Sequence, residues 1–462
     1  MIFFTNHVLA VISFCMLIYL IGWAFMHTFF ADIFKKASFG YKLGFSWTSG
    51  NVILGTIFFY LAYFEMFTTI NVFRACLFLG IISGVIAGWS IVNPLRIKKQ
   101  LVKIIPVAII AFFFMHLIQH SLTAYLIDWD ATAMWFLKAK AMFIHDGIHN
   151  NPYFDNTGLF DFSNKAYPFG IPLIMAGFFK MIAFFDDQVI QFYFLQYFLL
   201  IPILLYAFLK EHVQLSSISR IIIAIGLCMS PIFLNHAHSG YVDIPISLFF
   251  MTAMIAFMHA INEKTTREKN SWIGLMLLFG LFSVHVKNEG TTIIAALILV
   301  TILSGLLRRT LFTQRYILPI TLVLGSILLW KYFLHVSKTP FYLSASIPSM
   351  ENFHRLKTSI FFYLEVFLDT RIQSLTTIPL LLVISYQFPR IVKLRKYIMF
   401  APLLVLILQL CAYTYIYLIT PLPFVVQLQT SFPRLLLQLL PSLYLVAIFQ
   451  QKELQNTQKE ES

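Results

Sequence analysis

The sequence predicts an all-α polytopic membrane protein, a bundle of about 11–14 transmembrane helices with external loops that carry interfacial helices. Three observations predict it. Hydrophobic residues make up 59% of the 462-residue chain and charged residues only 11%, and the mean hydropathy is +0.80. A water-soluble chain could not hide so much apolar surface, because its exterior must be wetted. Apolar runs near the length needed to cross a bilayer recur at 8–30, 47–64, 72–93, 104–124, 189–209, 221–235, 245–262, 271–287, 290–307, 316–334, 374–388, 398–418 and 434–450.

The first run has no basic residue before it and Lys35 and Lys36 after it. That argues against a cleavable signal segment and places the N-terminus outside and residues 31–45 inside. Later basic clusters continue the pattern: "RIKKQLVK" (96–103), "NEKTTREKN" (262–270), "RRTLFTQR" (308–315), "RIVKLRK" (390–396) and the C-terminal "QKELQNTQKEES" all read as cytoplasmic. The net charge of +13 therefore sets orientation and gives no reason to expect a nucleic-acid partner. Cys15, Cys76, Cys228 and Cys411 fall inside apolar runs without metal-ligand spacing and read as core residues.

Counting from these clusters, five polar stretches share the external face: "YLIDWDATAMWFLKAKAMFIHDG" (125–147), "NHAHSGYVD" (235–243), "VKNEG" (286–290), the loop near 335–357 and "LITPLPFVVQLQTSFPR" (418–434). An even number of crossings must separate the first two. Segment 167–187 is the weakest candidate span, with Pro168, Pro172 and an internal Lys180, so a re-entrant or interfacial course is expected for it. Residues 131–146, ended by Gly147, and residues 353–371 read as amphipathic helices in the headgroup layer. The chain divides into N-terminal helices (1–103), a core with an external loop at 125–167 (104–310), and a C-terminal region with external loops at 335–373 and 418–434 (311–462).

The residues with chemical interest lie on that face. Asp128 and Asp130 stand one residue apart at the edge of an apolar run. Asp130 could merely cap a helix; as a pair they suit proton removal from a hydroxyl, or holding a divalent cation beside a phosphate. Asp243 stands two residues before Pro245, either as a dipole-favouring residue at a helix start or as a second acidic site residue. His236 and His238 are candidate metal ligands or structural groups. "HVKNEG" sets Lys287 and Glu289 at the end of a span, as a loose ion pair or a binding pair. Arg434, Lys138 and Lys140 either snorkel or clamp a phosphate. No pattern demands a cofactor; a divalent ion on one of the Asp pair with His236 or His238 is the one such group left open.

Taken in order, "WDATAMWFLKAKAMF", "YPFGIPL", "GYVDIPISLFF", "VKNEG" and "TSFPRLLLQLLP" resemble bacterial integral-membrane glycosyltransferases of the GT-C superfamily, of the protein mannosyltransferase and aminoarabinose transferase type. The resemblance runs from about 104 to 450 and leaves the first spans as an addition to the core. It implies a GT-C-like bundle in the bacterial cytoplasmic membrane, with the active site on the periplasmic face. The implied donor is a polyprenyl-phosphate sugar, and the acceptor a glycolipid, polysaccharide or protein. Asp130 maps to the general base with Asp128 beside it, and Asp243 to the second acidic motif. Lys138, Lys140, Lys287 and Arg434 would face the donor phosphate, and Glu289 and Tyr167, which opens "YPFGIPL", join the substrate-binding set. The competing expectation is a transporter or flippase for a lipid-linked or anionic substrate; the clustering of acidic groups at span ends and the lack of a visible repeat favour the enzyme.

Overall fold

The computed structural model describes residues 2–90, 95–117, 119, 128–155, 158–306, 314–337, 350–369, 377–394, 397–420 and 423–461. Parts of several expected segments lie outside the described residues: 120–124 of the fourth apolar run, 125–127 and 156–157 of the first external loop, 308–313 of a basic cluster, and 338–349 and 370–373 of the loop at 335–373. Among the described residues every regular element is helical. The protein is an all-α, multi-pass membrane protein.

Eight described helices are long and apolar enough to cross a bilayer: Val8–Phe29, Thr69–Ala87, Val189–His212, Asp243–Asn262, Thr266–Val286, Arg315–Val336, Tyr397–Ile419 and Phe424–Gln455. Four shorter apolar helices, Ile104–Phe113, Gly170–Ile182, Ser217–Cys228 and Gly290–Leu303, lie among them. The Asp243–Asn262 helix is central: it packs against the helix that follows it, Thr266–Val286, and against the long Phe424–Glu461 helix. Its span is 89% buried, whereas that of Thr69–Ala87 is only 17% buried. The second of these faces outward with Ile70, Phe73, Leu77, Phe78 and Ile81 exposed, a surface suited to lipid and not to water.

The bundle separates two polar ends. At one, Arg267 holds the Asp32 carboxylate through Nε and Nη2, each 2.7 Å away, Lys36 pairs with Glu268, and Asn262 donates to Glu453. Asp243 begins the helix that Asn262 ends, so the other polar end lies about 30 Å away at 1.5 Å per residue. Asp130, Tyr241, Lys287 and Arg434 gather there.

Between Tyr167 and His236 two stretches make the journey between these ends. Asp187–His212 runs one way, and Ser217–Cys228 with Pro231–His236 returns. Gly170–Ile182 is a 13-residue helix, about 20 Å long and short of the hydrocarbon thickness. Its Lys180 is buried but satisfied: the ammonium pairs with Asp146 and donates to the Phe143 carbonyl at 2.9 Å. The lysine that made this segment a poor span is thus used to tie it to the loop.

The helix expected at 131–146 is present in two pieces, a π-helical turn Ala131–Phe136 and an α-helix Leu137–His145. Its end corrects the sequence reading. Asp146, at φ 61°, takes the left-handed position expected of Gly147. Gly147 answers another need: a Cβ there would lie 2.1 Å from Glu65 Oε2, and Glu65 Oε1 accepts from the His149 amide at 2.6 Å. The Met350–Leu368 helix turns Phe353, Phe361, Leu364 and Leu368 outward. Its Tyr363 stacks on Phe432, with ring centroids 3.9 Å apart.

Candidate functional site

A cavity of about 490 Å³ opens at the second polar end, lined by Asp130, Ile232, Asn235, His236, Tyr241, Gln429, Thr430, Pro433 and Arg434. Four separate segments build it. Pro433 sits inside the Phe424–Glu461 helix and lacks the N–H that would bond the Gln429 carbonyl one turn back. The ladder is therefore open at the turn that faces the cavity. Arg434 follows directly. Its guanidinium pairs with the Asp130 carboxylate and lies 5.0 Å from the Tyr241 ring centroid, joining residues 304 positions apart. Both side chains keep about a fifth of their surface exposed.

That pairing decides between the two readings of Asp130. Its backbone is already helical (φ −63°, ψ −35°) and its side chain makes no capping bond, whereas a capping residue has extended backbone and a bonded side chain. Asp130 is a cavity residue. Asp128 contributes to the local fold through its carbonyl, which accepts from the Thr132 amide and hydroxyl, each at 3.0 Å. Its carboxylate acts electrostatically on Tyr241 and His236 and does not line the cavity.

Behind Arg434 lies a buried charge cluster. Lys287 Nζ is 2.9 Å from Asp243 Oδ1 and 3.0 Å from Glu289 Oε1. Gln438 Nε2 donates to the same Asp243 oxygen at 2.7 Å, and Gln438 Oε1 accepts from the Tyr413 hydroxyl at 2.7 Å. Arg434 and Gln438 are four residues apart on one helix, so they share a face; one meets Asp130 and the other Asp243. Burial alone would lower the Lys287 ammonium, but the Asp243 and Glu289 carboxylates outweigh it and hold Lys287 above the ordinary lysine range. The turn that presents this pair is tight. A Cβ on Gly290 would fall 2.1 Å from the Ser283 carbonyl oxygen.

The expected site residues thus divide. Asp130, His236 and Arg434 line one cavity; Asp243, Lys287 and Glu289 form the cluster beneath it; Tyr167 has its phenol raised chiefly by burial and feels the charges of Glu289, Lys287, Arg434 and Asp130. Lys138 departs from expectation. It is fully buried and donates to the Asn164 carbonyl at 3.0 Å and the Tyr167 carbonyl at 2.5 Å, amid the rings of Trp135, Tyr153, Tyr167 and Phe169. Burial lowers its ammonium well below the ordinary lysine range. It props the loop and stands outside the cavity lining. Lys140 is exposed, 5.8 Å from the Phe185 ring, and also stands outside the cavity lining.

Among the described residues no group of three or more His, Cys, Asp and Glu side chains gathers to hold a metal ion. Asp128, His236 and His238 therefore do not converge as a ligand set, and His238 lies outside the cavity lining. His236 turns Nδ1 to the Ile232 carbonyl at 2.9 Å. The sequence reading missed Tyr241, Asn235, Gln429, Thr430, Gln438 and Tyr413. Gln438 had a signal, the lone polar residue in "LLLQLLP" four places after Arg434.

Comparison with family models, curated proteins and solved structures gives no match to this chain. The case for a function rests on the site itself and on the order of its motifs.

Proposed function

We propose that the chain is a membrane glycosyltransferase that moves a sugar from a polyprenyl-phosphate donor to an envelope acceptor, a glycolipid, polysaccharide or protein, at the periplasmic face. The observation that carries this reading is the Arg434–Asp130 pair on the wall of an open cavity, at the end of a lipid-facing bundle. A guanidinium suits phosphate oxygens as well as it suits a carboxylate. Because the pair is partly exposed, a donor phosphate can replace Asp130 at Arg434 without uncovering a buried charge.

The reaction this supports is inverting transfer. An acceptor hydroxyl attacks the anomeric carbon in line with the departing lipid phosphate, whose charge Arg434 stabilises. The geometry of a base opposite a leaving group is that of inverting glycosidases, with an acceptor hydroxyl in place of water. The hydroxyl must give its proton to a group on the cavity wall. Asp130, the residue to which the sequence points, can take it after the phosphate has drawn Arg434 away. Asp243 and Lys287 hold one another beneath the wall and keep Gln438 and the Arg434 helix in register.

Turnover of a labelled polyprenyl-phosphate-sugar panel, with cell-envelope extract as acceptor, tests this. Wild type is expected to consume one donor, and Asp130→Asn to lower kcat/KM for that donor about 10²-fold. If wild type consumes none, yet moves lipid across liposome membranes, the same residues belong to a translocation path and the transporter reading replaces this one.

A further inference from the structure

A second proton acceptor belongs to a residue of the cavity wall, and it needs no release from an ion pair. His236 ends the short Pro231–His236 helix, with Nδ1 2.9 Å from the Ile232 carbonyl. A carbonyl only accepts, so the ring proton sits on Nδ1 and Nε2 carries the lone pair. That Nε2 is buried and has no hydrogen-bond partner among the described residues, while the residue lines the cavity with Asp130, Tyr241 and Arg434. A buried acceptor left unpaired is costly and calls for an explanation. A structural histidine would need only the bond at Nδ1.

We propose that His236 Nε2 is the general base of the transfer and that Asp130 is a positioning residue that holds Arg434 for the donor phosphate. This rests on the glycosyltransferase reading. In the step, the acceptor oxygen bonds to the anomeric carbon as its proton passes to Nε2. The bond from that carbon to the phosphate oxygen breaks, and its electron pair stays on the phosphate. A neutral imidazole and a phosphodiester monoanion become an imidazolium and a phosphate monoester dianion, so charge balances. The proton then leaves through the open mouth of the cavity.

The surroundings suit this role. Burial is the main influence on His236 and lowers it below the ordinary histidine range, so the imidazole is neutral and basic at neutral pH. Asp243 and Asp128 favour the imidazolium once it forms, and Arg434 opposes it. The Tyr241 ring packs 5.3 Å away, and Asp130 lines the same cavity, paired with Arg434.

The test uses purified full-length wild type, His236→Gln and Asp130→Asn with the donor that wild type consumes, with kcat and KM followed from about pH 5 to 9. His236→Gln is expected to lower kcat about 10²–10⁴-fold with little change in donor KM, and to lose the acid limb of the wild-type profile. Asp130→Asn is expected to raise donor KM and keep that limb. If His236→Gln keeps kcat within about threefold of wild type, or keeps an acid limb that Asp130→Asn loses, Asp130 is the base and the proposal fails. Should glutamine lower the melting temperature, His236→Asn gives the same comparison, since its amide can still donate to the Ile232 carbonyl. Wild type that consumes no donor overturns the glycosyltransferase reading, which separates the two failures.

Discussion

On the two sides of Tyr167 the protein neutralises its cations in opposite ways. On the loop side Lys138 gives its ammonium to two backbone carbonyls. On the bundle side Lys287 and Arg434 meet carboxylates. Carbonyl dipoles belong to one chain geometry and cannot be exchanged for a ligand without leaving the backbone unpaired. A carboxylate can be exchanged for a phosphate of like charge. The first arrangement fixes a loop; the second, where it reaches the cavity, is suited to binding.

The largest effect expected from this contrast falls on Lys287. Substitution by Met leaves Asp243 and Glu289 buried with no cation between them, and breaking a buried pair from one side costs about 3–5 kcal/mol. Lys287→Met is expected to melt well below wild type in detergent. A variant that melts with wild type would mean that the cluster bears no load and that the bundle side resembles the loop side.

Arg434→Ala sharpens the distinction, because here the effect should fall on activity. Removing a donor aimed at developing charge lowers turnover about 10²–10³-fold. The Asp130 partner left behind is partly exposed, so solvent can screen it and the melting temperature should change little. Equal loss of stability and turnover would instead place Arg434 with Lys287, as a strut.

Much of this was legible in the sequence, and the failures share a cause. Asp130, Asp243, Lys287, Glu289 and Arg434 were singled out because charge is scarce in an apolar chain and each stands at a span end. Their convergence follows once the crossings between Tyr167 and His236 are even. Lys138 misled because sequence shows the charge of a lysine and hides its partners; two carbonyls 26 and 29 residues away leave no pattern. Gly147 misled similarly, since its need is the Glu65 carboxylate 82 residues earlier in the chain. Tyr241 was passed over because a tyrosine beside a membrane is ordinary; only the Arg434 guanidinium above its ring gives it a role.

The smallest effect on donor binding comes from Lys138 itself, and its pH dependence carries the argument. Lys138→Met leaves two carbonyls without their donor, at about 1–3 kcal/mol each where both stay buried, and should leave donor KM unchanged in the folded fraction. The slope with pH is more specific. Burial lowers the folded-state pKa of Lys138, whereas the unfolded chain titrates near 10.4. Between those two values the unfolded state binds the extra proton, so stability rises with pH across that window. This is the reverse of a lysine held by a carboxylate, such as Lys287, whose raised pKa gives stability that is complete below the unfolded value and lost as pH climbs through the folded one. Melting temperatures of wild type and Lys138→Met, compared from about pH 7 to 10, should therefore converge at the acid end and part at the alkaline end, with wild type gaining. Curves that run parallel would mean that Lys138 keeps its proton in the fold, and that the carbonyls and rings around it stabilise an ammonium as well as two carboxylates do.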